Sequence, residues 1–185
     1  VSGGVMLVGP PGTGKTLMAR ATCGEAGWAI GKVQCTNATS ALFGKSAKRI
    51  EAIFQRAKEE AKEQPTMLFF DEIDTLVPDR SQNMSTSSGD DQMVTAFLTE
   101  MNHLVEEDHD VVVVGASNTP EAVDSAVIDN SQRMRSIIEM DLPDAEAREK
   151  IFDVHLASPP TASTVDTAQL ASVTEGFSGS DIEAV

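Results

Sequence analysis

Short apolar runs alternate with amphipathic stretches along the chain. Each run stops at a glycine or a polar residue and is too brief for a helix, so we predict that these runs are buried strands. They lie at residues 5–8, 67–70 and 111–114, and further strands are predicted near 30–35 and at 137–140. Helical patterns separate them, which predicts parallel βαβ units and an α/β fold with a doubly wound parallel sheet.

The clearest helical pattern precedes Pro65. Its apolar positions recur three and four residues apart, with charged residues between them, which predicts an amphipathic helix. These positions are Ile50, Ile53, Phe54, Ala57 and Ala61. Residues 14–26 and 93–101 also favour helix, whereas the polar stretch 80–91 lacks any period and is predicted to be a loop.

The character of the chain changes after Pro143, where strands give way to helical patterns at 144–156 and 167–174 and a further helix start near the end. We therefore predict an α/β subdomain over residues 1–143 and part of a C-terminal helical lid subdomain over 144–185.

The net charge excludes several classes of partner. Asp and Glu number 29 against 14 Lys and Arg, giving a formal charge of −15. Such a chain lacks the basic surface that a nucleic-acid binder needs, and it is repelled by anionic membranes. The longest apolar runs are also too short to cross a bilayer. We expect no nucleic-acid partner and no membrane segment.

Cysteine usage and the first residues bear on location. Cys23 and Cys35 form no metal-ligand array, and no basic secretion-signal region precedes the first strand. We expect a cytoplasmic, intracellular chain with reduced thiols rather than a disulfide. The acidic excess suits either an ordinary solvated surface or a salt-adapted organism, and the second predicts stability that rises steeply with KCl.

A glycine-rich segment follows the first strand and fits the phosphate-loop pattern G-x-x-x-x-G-K-[ST]. It consists of Gly9, Pro10, Pro11, Gly12, Thr13, Gly14, Lys15 and Thr16, and Leu17 is counted with it as nucleotide-binding. Glycines let backbone N–H groups surround phosphate oxygens, and the helix that follows adds its positive dipole end. We predict that Lys15 reaches the β- and γ-phosphates and that Thr16 ligates Mg²⁺.

The apolar strand 67–70 runs directly into Asp71 and Glu72. Ligands of open parallel sheets bind beyond the carboxyl ends of the strands, so these carboxylates are expected to face the phosphate loop. Asp71 is then expected to hold Mg²⁺ through water, and Glu72 polarises the water that attacks the γ-phosphate. Asp74 is expected to be a solvent or helix-cap carboxylate.

Together these residues resemble the AAA family of ATPases, within the wider AAA+ class, over nearly the whole chain. Residues 4–8 with the loop are similar to its Walker A region, and 69–74 to its Walker B motif. Residues 111–118 followed by 119–124 are similar to its sensor 1 strand and second region of homology. The resemblance implies a sheet of strand order 5-1-4-3-2 and makes Asn118 the polar residue that orients water.

The resemblance carries further residues with it. Arg133 lies where the family places an arginine finger supplied in trans, but the expected first finger is missing and Arg135 is a possible substitute. His155 resembles the family histidine near the adenine, with a half-buried helix residue as the alternative. Gly179 and Ser180 match the Gly-Ala pair beside the base.

Leu42, Phe43 and Gly44 occupy the place of the central pore loop, although the usual aromatic position holds Leu42. Residues 80–91 correspond to the second pore loop, and Gln92 stands where a basic residue is usual. An inward-packed Phe43 is the alternative interpretation.

The function implied is Mg²⁺-dependent ATP hydrolysis by a homo- or hetero-hexameric ring that threads a protein or peptide through its pore to unfold, extract or disassemble it. The cofactors expected are ATP and Mg²⁺. The alternative is an ATP-binding oligomeric scaffold with weak or no turnover, because the finger segment is altered. A GTP switch or small-molecule kinase is disfavoured by the absence of a guanine-reading N-K-x-D motif.

Overall fold

The computed structural model describes residues 3–36, 46–79, 88–107, 109–128, 133–157 and 165–185. Contacts divide the chain into two units, residues 1–8 with 16–138 and residues 9–15 with 139–185. Each unit is described by itself. The predicted division into subdomains between residues 143 and 144 stays a prediction.

Five strands form one sheet in the order β2-β3-β4-β1-β5, so the predicted order 5-1-4-3-2 is confirmed. Neighbours β1 and β4, β2 and β3, and β3 and β4 pair in parallel. The strands are β1 (Gly3–Val8), β2 (Ala29–Gln34), β3 (Thr66–Asp71), β4 (Val111–Ser117) and β5 (Met134–Glu139).

Helices connect the strands, as parallel pairing requires. They are α1 (Lys15–Ala26), α2 (Ser46–Glu60), α3 (Ser88–Glu106), α4 (Ser125–Ile128), α5 (Ala145–Leu156), α6 (Thr167–Val173) and α7 (Gly179–Glu183). Short 3₁₀ turns occupy Ile73–Thr75 and Pro120–Ala122. The loop prediction for 80–91 was wrong at its end, because α3 already begins at Ser88.

Three phenylalanines pack against one face of the sheet in the first unit. Phe54 of α2, Phe70 of β3 and Phe97 of α3 are fully buried, with ring centroids 5.3 to 5.8 Å apart. Two of the three pairs meet edge to face, which is a favoured arrangement for aromatic rings. Phe70 immediately precedes Asp71, so this cluster anchors the strand that presents the acidic residues.

The strand register aligns the polar edge of the sheet. Ala116 of β4 lies opposite Leu7 of β1 on one side and opposite Asp71 of β3 on the other. Asp71 in turn lies opposite Gln34 of β2. Four neighbouring strands therefore end at nearly the same level, and the residues that follow them emerge side by side.

In the second unit, a buried arginine holds the helices together. The Arg148 guanidinium of α5 donates to the carbonyl oxygen of Ala171 at the end of α6, at 2.8 Å from one terminal nitrogen and 3.2 Å from Nε. Its other terminal nitrogen donates to the Pro143 carbonyl at 2.8 Å. These bonds satisfy a buried cation with backbone acceptors, which is the condition for burying it without a large cost.

Candidate nucleotide-binding and catalytic site

The phosphate loop is closed by its own lysine. The Lys15 ammonium donates to the carbonyl oxygens of Gly9 at 2.8 Å and Pro10 at 2.7 Å, and the Thr13 hydroxyl also donates to Pro10 at 2.9 Å. Gly14 has a φ of +90°, a conformation that residues with a Cβ rarely adopt. Glycine at this position of the motif therefore allows the backbone conformation that the loop adopts.

The loop and the start of α7 pack closely within the second unit. A Cβ on Gly12 would lie 2.5 Å from the Ser178 Oγ, and Gly12 has a φ of +77°. The Ser180 N–H donates to the Gly12 carbonyl at 3.4 Å, and a Cβ on Gly179 would lie 3.1 Å from that same oxygen. Gly179 and Ser180, predicted from the resemblance, are therefore neighbours of the loop.

α7 begins with a complete capping box. The Ser178 Oγ accepts from the Asp181 N–H at 3.3 Å, while the Asp181 carboxylate accepts from the Ser178 N–H at 2.8 Å. The Ser178 hydroxyl also donates to that carboxylate at 2.7 Å. The hydroxyl bond first, and then the backbone bond, lower the pKa of Asp181 below its ordinary value. The capping box fixes the helix start that meets the loop.

The acidic edge of the sheet is held by two donors in the first unit. Oδ2 of Asp71 accepts from the Thr16 hydroxyl at 3.4 Å and from the Lys32 ammonium at 2.8 Å. Thr16 and Asp71, predicted to share a metal ion, are thus brought together. Lys32 was not predicted from the sequence as a residue of this site. It lies on β2, an edge strand whose residues alternate in exposure, and it is one of the more exposed positions.

Glu72 stands in a strained backbone conformation. Its φ of 56° and ψ of 51° lie in the left-handed region, and it is the one non-glycine residue with positive φ among the described residues. The N–H and the hydroxyl of Thr75 both donate to the Glu72 carbonyl, at 3.0 and 2.8 Å. Such strain clusters at functional sites, where surrounding structure imposes it. Here it lies at the step from β3 into the 3₁₀ turn, at a residue that is exposed.

Asp74 and the end of β4 are linked by a hydrogen bond that sequence reasoning missed. The Ser117 hydroxyl donates to Asp74 at 2.6 Å and accepts from the Thr119 N–H at 3.0 Å. Asp74 therefore buttresses the neighbouring strand end rather than facing solvent alone. This bond fixes the turn that carries Asn118, whose side chain is exposed beyond the strand end.

Arg133 is bound within its own chain. Its Nε donates to Oδ1 of Asn102 at 2.9 Å, and a terminal nitrogen donates to the Ala126 carbonyl at 2.8 Å. The finger role of Arg133 stays a prediction. The Arg135 side chain, the residues Leu42, Phe43 and Gly44, and most of the segment 80–91 lie outside the described residues.

The remaining predicted contacts are exposed. His155 of α5 is exposed rather than half-buried, and the Leu17 side chain is 71% exposed on α1. Gln92 is also exposed on α3. Their predicted roles toward the base, the phosphates and a partner subunit stay predictions.

Cys23 and Cys35 are both buried and free. Burial, and then the nearby carboxylates of Asp71, Asp74 and Glu72, raise the pKa of the Cys35 thiol to about 12. Because the thiolate is the reactive form, this thiol is inert near neutral pH.

The donors present fit a magnesium nucleotide. The Thr16 hydroxyl and the Asp71 carboxylate are hard oxygen ligands of the kind that Mg²⁺ takes beside substrate phosphates. Among the described residues, no group of three or more His, Cys, Asp or Glu side chains could hold a metal. A magnesium ion bound here would therefore take most of its ligands from phosphate and water. Within the part of the chain that the structure describes, no helix is long and apolar enough to span a bilayer.

A parallel sheet with this strand order, a lysine-closed loop after β1 and an aspartate–glutamate pair after β3 define a P-loop nucleoside triphosphatase domain. Residues 5–142 match the family described as ATPase family associated with various cellular activities (AAA). The chain belongs to this AAA family of ATPases, as its sequence predicts, and ATP hydrolysis is the reaction of the family.

The names of similar proteins describe several functions. The chain is 38% identical over 182 residues to the Cell division cycle protein 48 homolog of Archaeoglobus fulgidus, which covers 98% of this chain and 24% of that protein. It is 39% identical over 183 residues to the ATP-dependent zinc metalloprotease FtsH of Marinobacter nauticus, covering 97% and 28% respectively. It is 35% identical over 182 residues to the Mitochondrial sorting homolog of Caenorhabditis elegans, covering 98% and 51%. The chain thus spans about a quarter of the first two relatives.

Proposed function

We propose that this chain is the motor domain of a Mg²⁺-dependent ATPase that assembles into a hexameric ring and unfolds, extracts or disassembles protein substrates. Family membership supports the ATPase reaction, and relatives named as a protease and a cell division cycle protein support work on proteins. The ring and the threading of a polypeptide past Leu42, Phe43 and Gly44 are proposed from the family resemblance.

The observation that carries the catalytic proposal is the backbone of Glu72. A residue in the left-handed region directly after a buried strand costs stability, yet the fold holds it there. We assign its carboxylate as the general base that accepts a proton from the attacking water. Asn118, exposed beyond the neighbouring strand, orients that water by hydrogen bonding.

The phosphates are assigned to the loop and its lysine. Backbone N–H groups of residues 12–15 and the Lys15 ammonium bind the β- and γ-phosphates, after Lys15 exchanges its bonds to Gly9 and Pro10 for phosphate oxygens. Pro10 and Pro11 carry no N–H and contribute only the shape of the loop. Thr16 and Asp71 would hold Mg²⁺, which neutralises charge that develops on the phosphates. His155, Gly179 and Ser180 are assigned to the adenosine end, and the two buried thiols support a reducing, intracellular location.

The alternative function, an ATP-binding scaffold with weak turnover, is favoured by one observation. The Arg133 guanidinium is held by Asn102 and Ala126, so its use in a neighbouring active site requires these bonds to exchange on assembly. Phosphate release measured against protein concentration separates the two functions. A ring that completes its sites in trans gives a rate per chain that rises with concentration, whereas a scaffold gives a low rate at every concentration.

The catalytic assignment predicts the behaviour of Glu72→Gln. We expect phosphate release to fall by a factor on the order of 10² or more, because the amide cannot accept the proton of water. Nucleotide binding measured by calorimetry should stay within about twofold of the parent, since binding does not use this group. Glu63→Gln, an exposed substitution outside the site, is the control and should keep the parental rate. Parental turnover in Glu72→Gln would contradict the assignment.

A further inference from the structure

The proposed site contains a second lysine, on the edge strand β2. In the strand register Lys32 lies opposite Phe69, two positions before Asp71 and on the same face of the sheet. Its ammonium is 5.9 Å from the centroid of the Phe69 ring and 2.8 Å from Oδ2 of Asp71. The side chain therefore follows the face of β3 to the carboxylate at its end.

Lys32 and Thr16 share one oxygen atom. The Thr16 hydroxyl lies 3.4 Å from Oδ2 of Asp71, the same atom that the Lys32 ammonium contacts. Thr16 and Asp71 are the residues that would hold Mg²⁺, and Oδ2 is the Asp71 atom that both Thr16 and the lysine contact. The lysine therefore occupies one oxygen of a carboxylate that the metal site would use.

The side chains of this ion pair are less exposed than those of an ordinary surface pair. The side chains of Lys32 and Asp71 are only 30% and 27% exposed, and the ammonium also lies near the Phe69 ring. For comparison, Lys62 and Glu59 form a pair of similar length, 2.7 Å, with side chains 62% and 68% exposed. Partial removal of water strengthens a charge pair, whereas exposed pairs contribute little.

We propose that Lys32 is a built-in counter-ion of Asp71 that competes with magnesium and so sets how much free Mg²⁺ the site requires for nucleotide binding. This inference rests on the proposed function. A carboxylate neutralised by an ammonium attracts a metal less than a bare one, and the ammonium itself repels a divalent cation nearby. Metal binding must therefore displace the lysine or share its oxygen. In the absence of metal, the lysine balances the charge of Asp71.

The test is the magnesium linkage of nucleotide binding, measured by calorimetry on the full chain. The probe is a non-hydrolysable imido analogue of ATP, titrated in EDTA and again in excess Mg²⁺. The quantity compared is the dissociation constant in EDTA divided by the dissociation constant in Mg²⁺. We expect this ratio to be about three- to tenfold larger in Lys32→Met than in the parent, equivalent to about 0.7 to 1.4 kcal/mol. The free Mg²⁺ concentration at half-maximal binding should fall correspondingly.

Two variants serve as controls. Lys32→Arg keeps the positive charge and should retain the parental ratio, and Lys62→Met removes an exposed ion pair elsewhere and should do the same. Thermal midpoints in EDTA without nucleotide, close to that of the parent, verify that each variant is folded.

The outcomes are distinct. An unchanged ratio in Lys32→Met, beside clear magnesium dependence in the parent, overturns the inference and leaves the proposed function standing. A smaller ratio also overturns it, since Lys32 would then orient Asp71 for the metal. A parent that binds the analogue equally well in EDTA and in Mg²⁺ overturns the proposed function, and the inference with it.

Discussion

Glu72, to which we assign the role of general base, has a backbone conformation that costs stability. Its left-handed backbone is imposed by the step from β3 into the 3₁₀ turn, where two bonds from Thr75 hold its carbonyl. A residue with a Cβ is disfavoured by about 1–2 kcal/mol in this conformation, and glycine is not. The sequence nevertheless has glutamate here.

The strained backbone at this position leads to a prediction for Glu72→Gly. We expect the free energy of unfolding to rise by about 1 kcal/mol relative to Glu72→Ala, because alanine retains the clash of the Cβ and glycine removes it. Urea unfolding followed by circular dichroism measures the difference, and both variants should have lost hydrolysis. Equal stability of the two variants would contradict the idea that the backbone is strained at this position.

Some residues of the site were predictable and others were not. Asp71 and Glu72 follow an apolar strand directly, so the pattern along the chain exposes them. The Lys32 contact depends on which strand lies beside β3 and in what register, which no local pattern contains. Ser117 was missed because β4 was predicted to end at residue 114, whereas it continues through Gly115 and Ala116 to Ser117.

At the scale of elements, the boundaries that sequence reasoning misplaced have identifiable causes. α3 begins with a polar Ser-Gly-Asp-Asp segment, and these residue types occur both in loops and in the first turn of helices. β5 begins at Met134, three residues before its predicted start. The earlier start was missed because Met134, Arg135 and Ser136 do not form an apolar run. The exposed Ile137 and Ile138 gave the clearer apolar signal.

The capping box of α7 yields a prediction at this scale. Ser178→Ala removes the side-chain acceptor of the Asp181 N–H, which typically costs about 1 kcal/mol of helix stability. Hydrogen exchange of the α7 amides should therefore accelerate about fivefold at neutral pH. Ser172→Ala removes a hydroxyl that donates to a helix carbonyl outside any N-cap and is the matched control. Equal exchange in the two variants would contradict a stabilising role for the box.

The same box gives a pH dependence with a definite sign. Hydrogen bonds from Ser178 lower the pKa of Asp181, so the ionised form is favoured in the folded state. The stabilisation is present above the unfolded pKa of about 3.9 and is lost as the pH falls through the lower folded value. Exchange of the α7 amides, corrected for the intrinsic pH dependence, should reveal this loss in the parent and not in Asp181→Asn.

At the scale of the whole molecule, the formal charge of −15 dominates the electrostatics. Carboxylates repel one another more in the compact state than in the unfolded chain, and salt screens this repulsion. The screening length falls from about 10 Å at 0.1 M to about 3 Å at 1 M salt.

We therefore expect the thermal midpoint to rise when KCl is raised from 0.1 to 1 M. Differential scanning calorimetry measures the change, and equal osmolality of sucrose controls for solute effects that are not ionic. A midpoint that keeps rising steeply above 1 M, where screening is nearly complete, would support a salt-adapted chain. A midpoint that stays level from 0.1 M onward would exclude salt adaptation and contradict the self-repulsion.

The fold as a whole was more predictable than its division into units. Alternation of strands and helices determines a parallel sheet, and the resemblance supplied its strand order, which the structure confirms. The grouping of residues 9–15 with 139–185 depends on contacts such as Gly12 with Ser178, which join distant parts of the chain. Local patterns carry no record of such contacts.

The row formed by Leu7, Ala116, Asp71 and Gln34 has a consequence for how the chain tolerates change. Side chains of a strand alternate between faces, so inserting or deleting one residue inside β3 would send the aspartate to the opposite side of the sheet. Many substitutions within β3 keep this geometry, but a single-codon insertion does not. The position of Asp71 therefore depends more on the number of residues in β3 than on which residues these are.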